Sequence, residues 1–191
     1  GICAAERAGL LPIKINAVIQ RGVNDHTIVD LAKYFKDRGH SVRFIEYMDV
    51  GNRNGWKLDQ VVSANEILSM IDAEMPIEPV ESTYRGEVAS KYRYRDGSGE
   101  IGVIASVTKP FCGDCTRLRL SPEGSIYTCL FASKGLDLRT PLRTGATDND
   151  LTRIIGNRWV SRADRYSEER SAMTEELRAA QEKIEMYHIG G

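Results

Sequence analysis

The first strongly apolar stretch of the chain is Ile13–Gln20 (IKINAVIQ), a β-branched run that suits a buried strand. Gly22 to Asp25 then turn the chain. Ile28, Leu31, Ala32 and Phe35 recur at helical spacing, with Asp25 or Thr27 placed to cap the helix and Gly39 to end it. Ser41–Val50 (SVRFIEYMDV) reads as a second buried strand. Strand, helix and strand within about 40 residues form a βαβ unit, so the two strands are predicted to be parallel neighbours. Beyond Gly51 the texture changes. Asn52–Gly55 is polar and turn-rich, and Ser63 with Glu66 forms a capping box for a short helix through Ile71. Pro76 and Pro79 interrupt the pattern. Hairpins follow. KYRYRDGSGEIGVIASV turns around Asp96–Gly99, and RLRLSPEGSIYTCLF turns at Ser121–Gly124, with Pro122 where its fixed φ is favoured. A helix is predicted after Asp148, with Leu151, Ile154, Ile155 and Val160 on its apolar side. Between Ser161 and Glu185 twelve side chains are charged, which predicts an exposed or mobile helix. The pattern divides the chain into residues 1–55 and 56–191. The fold class is α/β: two parallel strands, then an α+β region with antiparallel hairpins.

Composition narrows the class. The 191 residues carry 26 basic and 27 acidic side chains, a formal net charge of −1. That balance argues against coating nucleic acid, which wants a basic excess. With 41% hydrophobic and 28% charged residues the chain is globular. It is too short for a closed (β/α)₈ barrel of roughly 250 residues. No apolar run approaches the roughly 18 residues of a membrane helix, and no leader precedes a cleavage site. No membrane partner is expected, and the expected location is cytoplasmic. Gly1 opens the chain inside a helical pattern, so the sequence reads as a piece of something longer.

Four cysteines, Cys3, Cys112, Cys115 and Cys129, suggest ligation or redox chemistry in a chain without export signals. Cys112-Gly-Asp-Cys115 is a CxxC pair, and the hairpin turning at Pro122–Glu123 brings Cys129 back beside it. Three converging thiolates are one short of a closed zinc site. His26, His40 and His188 stand at no finger-like spacing, and Cys3 lies more than about a hundred residues away. A [4Fe–4S] cluster with one open iron, a zinc ion with a distant ligand, and a disulfide are the three readings of this spacing. Cys115, Arg117 and Arg119 alternate along one strand and share a face. Guanidinium groups beside a cluster would make a phosphate clamp. The plainer reading turns both arginines to water.

On the first strand Lys14 and Asn16 share one face, and Ile13, Ile15, Ala17 and Ile19 the other. Lys14 either sits at the strand entrance or points into a barrel interior to meet an anion. Arg43 and Glu46 interrupt the second strand with opposite parity, so one regular strand cannot aim both into one cavity. Met48 has the parity of Glu46 and lies near the strand's C-terminal end, where α/β folds bind ligands. By itself Met48 reads as core filler.

RFIEYMDVGN, PFCGDCTRLRLSPEGSIYTCLF and the terminal Gly-Gly together resemble the MoaA family, the radical-S-adenosylmethionine GTP 3',8-cyclases. These enzymes convert GTP to the first cyclised intermediate of molybdenum cofactor (molybdopterin) synthesis. The similarity runs from the KINAV strand to the last residue. It implies that the fold is the C-terminal portion of an incomplete TIM-like barrel, residues 1–55, followed by a cluster- and GTP-binding domain, 56–191. It implies that Cys112, Cys115 and Cys129 hold a [4Fe–4S] cluster whose open iron contacts GTP. By the same resemblance Arg117, Arg119 and Lys14 bind GTP, and Met48 packs near S-adenosylmethionine. Arg43 lies near both ligands, and Gly190 and Gly191 form a flexible tail that reaches the active site. Adjacent glycines fit that role because a bare backbone enters a narrow cavity.

The family's CxxxCxxC motif, which holds the cluster that cleaves S-adenosylmethionine, is absent here. The chain alone is therefore expected to bind substrate and lack the radical chemistry. That chemistry cleaves S-adenosylmethionine to a deoxyadenosyl radical, which takes a hydrogen from the ribose before a carbon–carbon bond forms to the purine. The resemblance also implies a homodimer for the full-length enzyme, and a product passed to the next enzyme of molybdopterin-precursor synthesis. A zinc-stapled interaction module and an electron-transfer iron–sulfur domain are the rival classes. Cys3 receives no role.

Overall fold

The structure, a computed structural model, describes residues 1–189. The chain forms two compact units. One comprises 1–48 and 56–111, the other 49–55 and 112–191.

The first unit contains α1 (Ile2–Arg7), β1 (Lys14–Ile19), α2 (Ile28–Lys36), β2 (Ser41–Glu46), α3 (Ala64–Glu74), β3 (Ile77–Val80), β4 (Ser90–Tyr94) and β5 (Glu100–Ile104). Its five strands make one sheet in the order β1-β2-β5-β4-β3. β1 and β2 are parallel, as the strand–helix–strand pattern requires. β5 is also parallel to β2, so the parallel set has three strands where the sequence predicted two. The run Ile101-Gly102-Val103 is buried throughout, which is how a strand between two neighbours reads. β4 and β3 extend the sheet antiparallel. Pro79, read as a break, lies within β3. β3 is an edge strand, where a residue without an N–H is tolerated. The sheet is open, with β1 at its other edge.

The two sheet faces differ sharply. Ile19, Val42, Phe44, Ile101 and Val103 are buried on one face against Ile28, Ala32 and Phe35 of α2 and Ile67 and Ile71 of α3. Each fully buried side chain of this size contributes about 1.5–3 kcal/mol. The other face carries Lys14, Asn16 and Val18 on β1 and Ser41, Arg43 and Ile45 on β2, all exposed or half-buried. Glu46 ends β2 on the covered face and is 0% exposed. Its carboxylate accepts from the N–H groups of Ala64 (2.7 Å), Val107 (2.7 Å) and Thr108 (2.8 Å) and from the Thr108 hydroxyl (2.5 Å). One buried side chain thus joins the start of α3 to the loop after β5.

The second unit contains β6 (Arg119–Leu120), β7 (Ser125–Tyr127), β8 (Leu136–Asp137), α4 (Arg139–Arg143), α5 (Asp148–Val160), α6 (Tyr166–Glu169) and α7 (Glu175–Ala180). β6, β7 and β8 form an antiparallel sheet. The β6–β7 turn closes at Ser121–Gly124 as predicted, with the Gly124 N–H donating to the Ser121 carbonyl at 2.9 Å. α5 begins where predicted. Thr147 and Asp150 cap it reciprocally, but Val160, expected on its apolar side, is 86% exposed.

The stretch 161–185 is not the exposed helix its charges suggested. Short helical turns carry Tyr166 and Arg170, and the irregular stretch after α7 carries Lys183, into the interior, each at most 5% exposed. They gather on Asp49. Arg170 Nε lies 2.7 Å from its carboxylate and Lys183 Nζ 3.0 Å, and the Tyr166 hydroxyl donates to it. The Phe131 ring stacks on Tyr166, centroids 4.4 Å apart, and both rings face the two cations. Gly51 completes the join, since a Cβ there would lie 2.3 Å from the Glu185 carboxylate.

Candidate functional site

The cysteine group belongs to the second unit. Cys112 opens a helical turn, Cys112–Asp114, and Cys115 follows it with its N–H bonded to the Cys112 carbonyl at 3.3 Å. The pairing of Arg119 with Tyr127 leaves Cys129 two residues beyond the last paired residue of β7. All three thiols are free and half-buried.

The strand expected from Cys115 onward is β6 only at Arg119–Leu120, because its pairing with β7 covers those two residues alone, but burial still alternates from Cys115 into it. Cys115, Arg117 and Arg119 are half-buried, whereas Leu118 is 39% and Leu120 61% exposed. The leucines face water and the arginines turn inward, the reverse of the plainer expectation for an Arg-Leu-Arg-Leu strand. Arg117 Nε donates to the Cys115 sulfur at 3.2 Å. Burial pushes the Cys115 thiol up. The Arg117 hydrogen bonds and the charges of Arg117 and Arg162 more than offset this and hold it below the ordinary thiol value. Cys129 is shifted the other way. Burial raises it, as do Asp164 and the other two thiols, against the Phe131 N–H that donates to its sulfur at 3.5 Å. Burial, with Arg117 alongside, lowers the Arg119 guanidinium, while Cys115 and Cys129 favour its charge.

The three thiols and two arginines therefore share one electrostatic neighbourhood. Among the described residues no group of three or more His, Cys, Asp or Glu side chains is gathered tightly enough to hold a metal ion. The donor set nevertheless has the chemistry of a cluster site: three free thiols, one favoured as thiolate by an adjacent guanidinium.

Lys14 and Arg43 belong to the first unit, on the open face of its sheet. Both line a cavity of about 330 Å³ with His40, Glu87, Lys91 and Gly102. The register puts Asn16, Arg43, Gly102 and Lys91 in one row across the sheet. A Cβ on Gly102 would press to 3.2 Å from the Arg43 side chain. Lys91 is paired with Glu87 at 2.8 Å. Lys14 and Arg43 have no ion-pair partner among the described residues. Met48 is half-buried, two residues past the end of β2. Gly190 and Gly191 lie outside the described residues. Cys3 is exposed.

Several residues were not singled out from sequence. Arg162 donates to the carbonyls of Cys115 and Cys112, and Asp164 accepts from Thr128, the neighbour of Cys129. Their only sequence signal was charge in a segment read as solvent-facing.

The family model described as Molybdenum Cofactor Synthesis C matches residues 40–168. A GTP 3',8-cyclase of Acidothermus cellulolyticus is 49% identical over all of this chain and 59% of its own length. One from Xanthomonas campestris pv. campestris is 45% identical over all of this chain and 55% of its own. One from Staphylococcus carnosus is 48% identical over 94% of this chain and 53% of its own. The chain thus spans just over half the length of these curated relatives. Among the described residues no helix is long and apolar enough to cross a membrane.

Proposed function

The chain belongs to the Molybdenum Cofactor Synthesis C family, and from that premise we propose that it is the substrate-holding part of a GTP 3',8-cyclase. Cys112, Cys115 and Cys129 would hold a [4Fe–4S] cluster. When bound, that cluster supplies an iron without a protein ligand, to which a substrate atom can bind. Three free, half-buried thiols, one of them held below the ordinary thiol value by the adjacent Arg117, suit such a group. Arg117 and Arg119 would hold the triphosphate, since a guanidinium fork matches phosphate oxygens. Lys14 would add a further cation, and Arg43 one near both GTP and S-adenosylmethionine. Met48 would pack against S-adenosylmethionine, and Gly190 and Gly191 would form the tail that reaches the site. The sheet face that carries Lys14 and Arg43 would be the inner wall of an incomplete TIM-like barrel, where cations can meet an anionic ligand.

The observation that carries this reading is the inward turn of Arg117 and Arg119 beside three free cysteines. A stretch that leaves its leucines in water and half-buries its arginines has a use for charge there. In this reading the chain binds and orients. The second cluster and the cleavage of S-adenosylmethionine belong to the full-length enzyme, a homodimeric lyase, and this chain alone does not turn GTP over. The product goes to the next enzyme of molybdopterin-precursor synthesis.

Anaerobic reconstitution with iron and sulfide is expected to give a brown chain with about four of each per molecule. Stoichiometric zinc without visible absorbance would instead indicate a zinc-stapled module. Each of Arg117→Ala and Arg119→Ala is expected to weaken GTP binding by about tenfold or more, the worth of a charge-assisted hydrogen bond. Nucleotide binding unchanged in both variants would point to an electron carrier.

A further inference from the structure

The segment that ends α5 and follows it grips the backbone on both sides of the cysteine group. The Arg162 guanidinium donates to the Cys115 carbonyl at 2.5 Å and to the Cys112 carbonyl at 3.4 Å. The Asp164 carboxylate accepts from the Thr128 hydroxyl at 2.6 Å, one residue before Cys129. Arg158 donates to that hydroxyl at 3.3 Å, and Glu168 accepts from the Gly113 N–H at 3.3 Å. Arg162 and Asp164 stand 3.7 Å apart, so one ion pair spans the CxxC turn and the end of the β6–β7 hairpin. Thr128 is 0% exposed, and the side chains of Arg162 and Asp164 are 12% and 23% exposed.

We propose that Arg162 and Asp164 are positioning residues that hold Cys112, Cys115 and Cys129 in place for the metal group. The proposal rests on the cluster reading given above. The three thiols come from two stretches of chain, one of them a single turn. Without a second set of ties, the metal group itself would have to order both stretches, against their backbone entropy. The Arg162–Asp164 pair supplies those ties through carbonyl and hydroxyl oxygens and leaves every sulfur free to ligate. A guanidinium suits the task because its rigid planar fork points separate nitrogens at the two carbonyls, whereas an ammonium must serve both from one freely rotating centre. Its charge also lies beside the thiolates, where it favours an anionic group between them.

The test uses the full chain with Arg162→Ala, Arg162→Lys and Asp164→Asn beside the wild type. Each is reconstituted anaerobically with iron and sulfide, then challenged with a chelator. Arg162→Ala is expected to keep wild-type far-UV circular dichroism and to lose its visible absorbance roughly ten- to a hundred-fold faster. Arg162→Lys should fall between the two. Metal-free protein gives a second readout. Amide exchange over 112–115 and alkylation of Cys112 and Cys115 should quicken in Arg162→Ala, while β7 exchanges as in the wild type. Unchanged metal-free exchange and alkylation, or cluster release at the wild-type rate, overturns the proposal. If the wild-type chain takes up zinc or no metal, the functional reading fails, and the metal-free readouts alone then decide the positioning role. Should Arg162→Ala fail to fold, Arg162→Lys and Asp164→Asn carry the same comparison.

Discussion

At the scale of single residues, buried charge separates scaffold from site. Arg43 and Glu46 interrupt one strand, and their opposite parity is legible in the sequence. Their fates are not. Glu46 faces the helices and binds three N–H groups and a hydroxyl, whereas Arg43 faces the cavity on the open side. No local pattern says which face a helix will cover. Asp49 makes the same point, because its partners lie more than about a hundred residues away in the chain. Burial would raise its carboxyl, but the charge of Arg170, the Tyr166 hydroxyl and Lys183 hold it below the ordinary value. Asp49→Asn would leave two buried cations short of a partner, so a loss of about 3–5 kcal/mol is expected in urea unfolding at neutral pH. The sign of the pH dependence follows from the lowered value. Stabilisation by Asp49 is complete above the unfolded carboxyl's range, near about 4, and fades as pH falls through the folded value. The gap between wild type and variant should stay constant through neutral pH and narrow below about 4.

At the scale of elements, short-range signals served well where the partner is close in sequence. The βαβ unit, the β6–β7 turn and the start of α5 all follow from spacing, caps and turn residues. They failed where a distant element decides. β5 reads as half of a hairpin with β4, which it is, yet its other side pairs parallel with β2. The twelve charges of 161–185 suggested solvent, but several find buried counter-charges, rings and carbonyls instead. β1 is an edge strand whose outer face carries Val18 at 47% exposure. An unpaired edge of this kind templates further pairing. The isolated chain is expected to self-associate as its concentration rises, and Val18→Lys to reduce that association. Sedimentation velocity over a concentration series reads both, and a wild-type chain monomeric throughout would refute the idea.

At the scale of the whole molecule, the division into two compact units assigns the chemistry. The first unit closes its own core around Phe44, Ile67 and Ile101. The second holds Cys112, Cys115 and Cys129, tied to the backbone and side chains around them through Arg162, Asp164 and Glu168. Removing iron and sulfide from a reconstituted chain should therefore raise amide exchange over 112–131 and leave β2 and β5 unchanged. Equal loosening of both would contradict this assignment. By itself the sequence determined the β6–β7 turn and the start of α5, and it singled out Cys112, Cys115 and Cys129 and the alternation of Cys115, Arg117 and Arg119. Each of these follows from neighbours within about twenty residues, where spacing and strand periodicity act directly. Only the tertiary structure decided that this face turns inward, that one sheet face stays open beneath Lys14 and Arg43, and that Arg162, Asp164 and Asp49 are tied into the interior. Those outcomes depend on which surfaces are removed from water, and burial is settled by contacts between segments far apart in the chain.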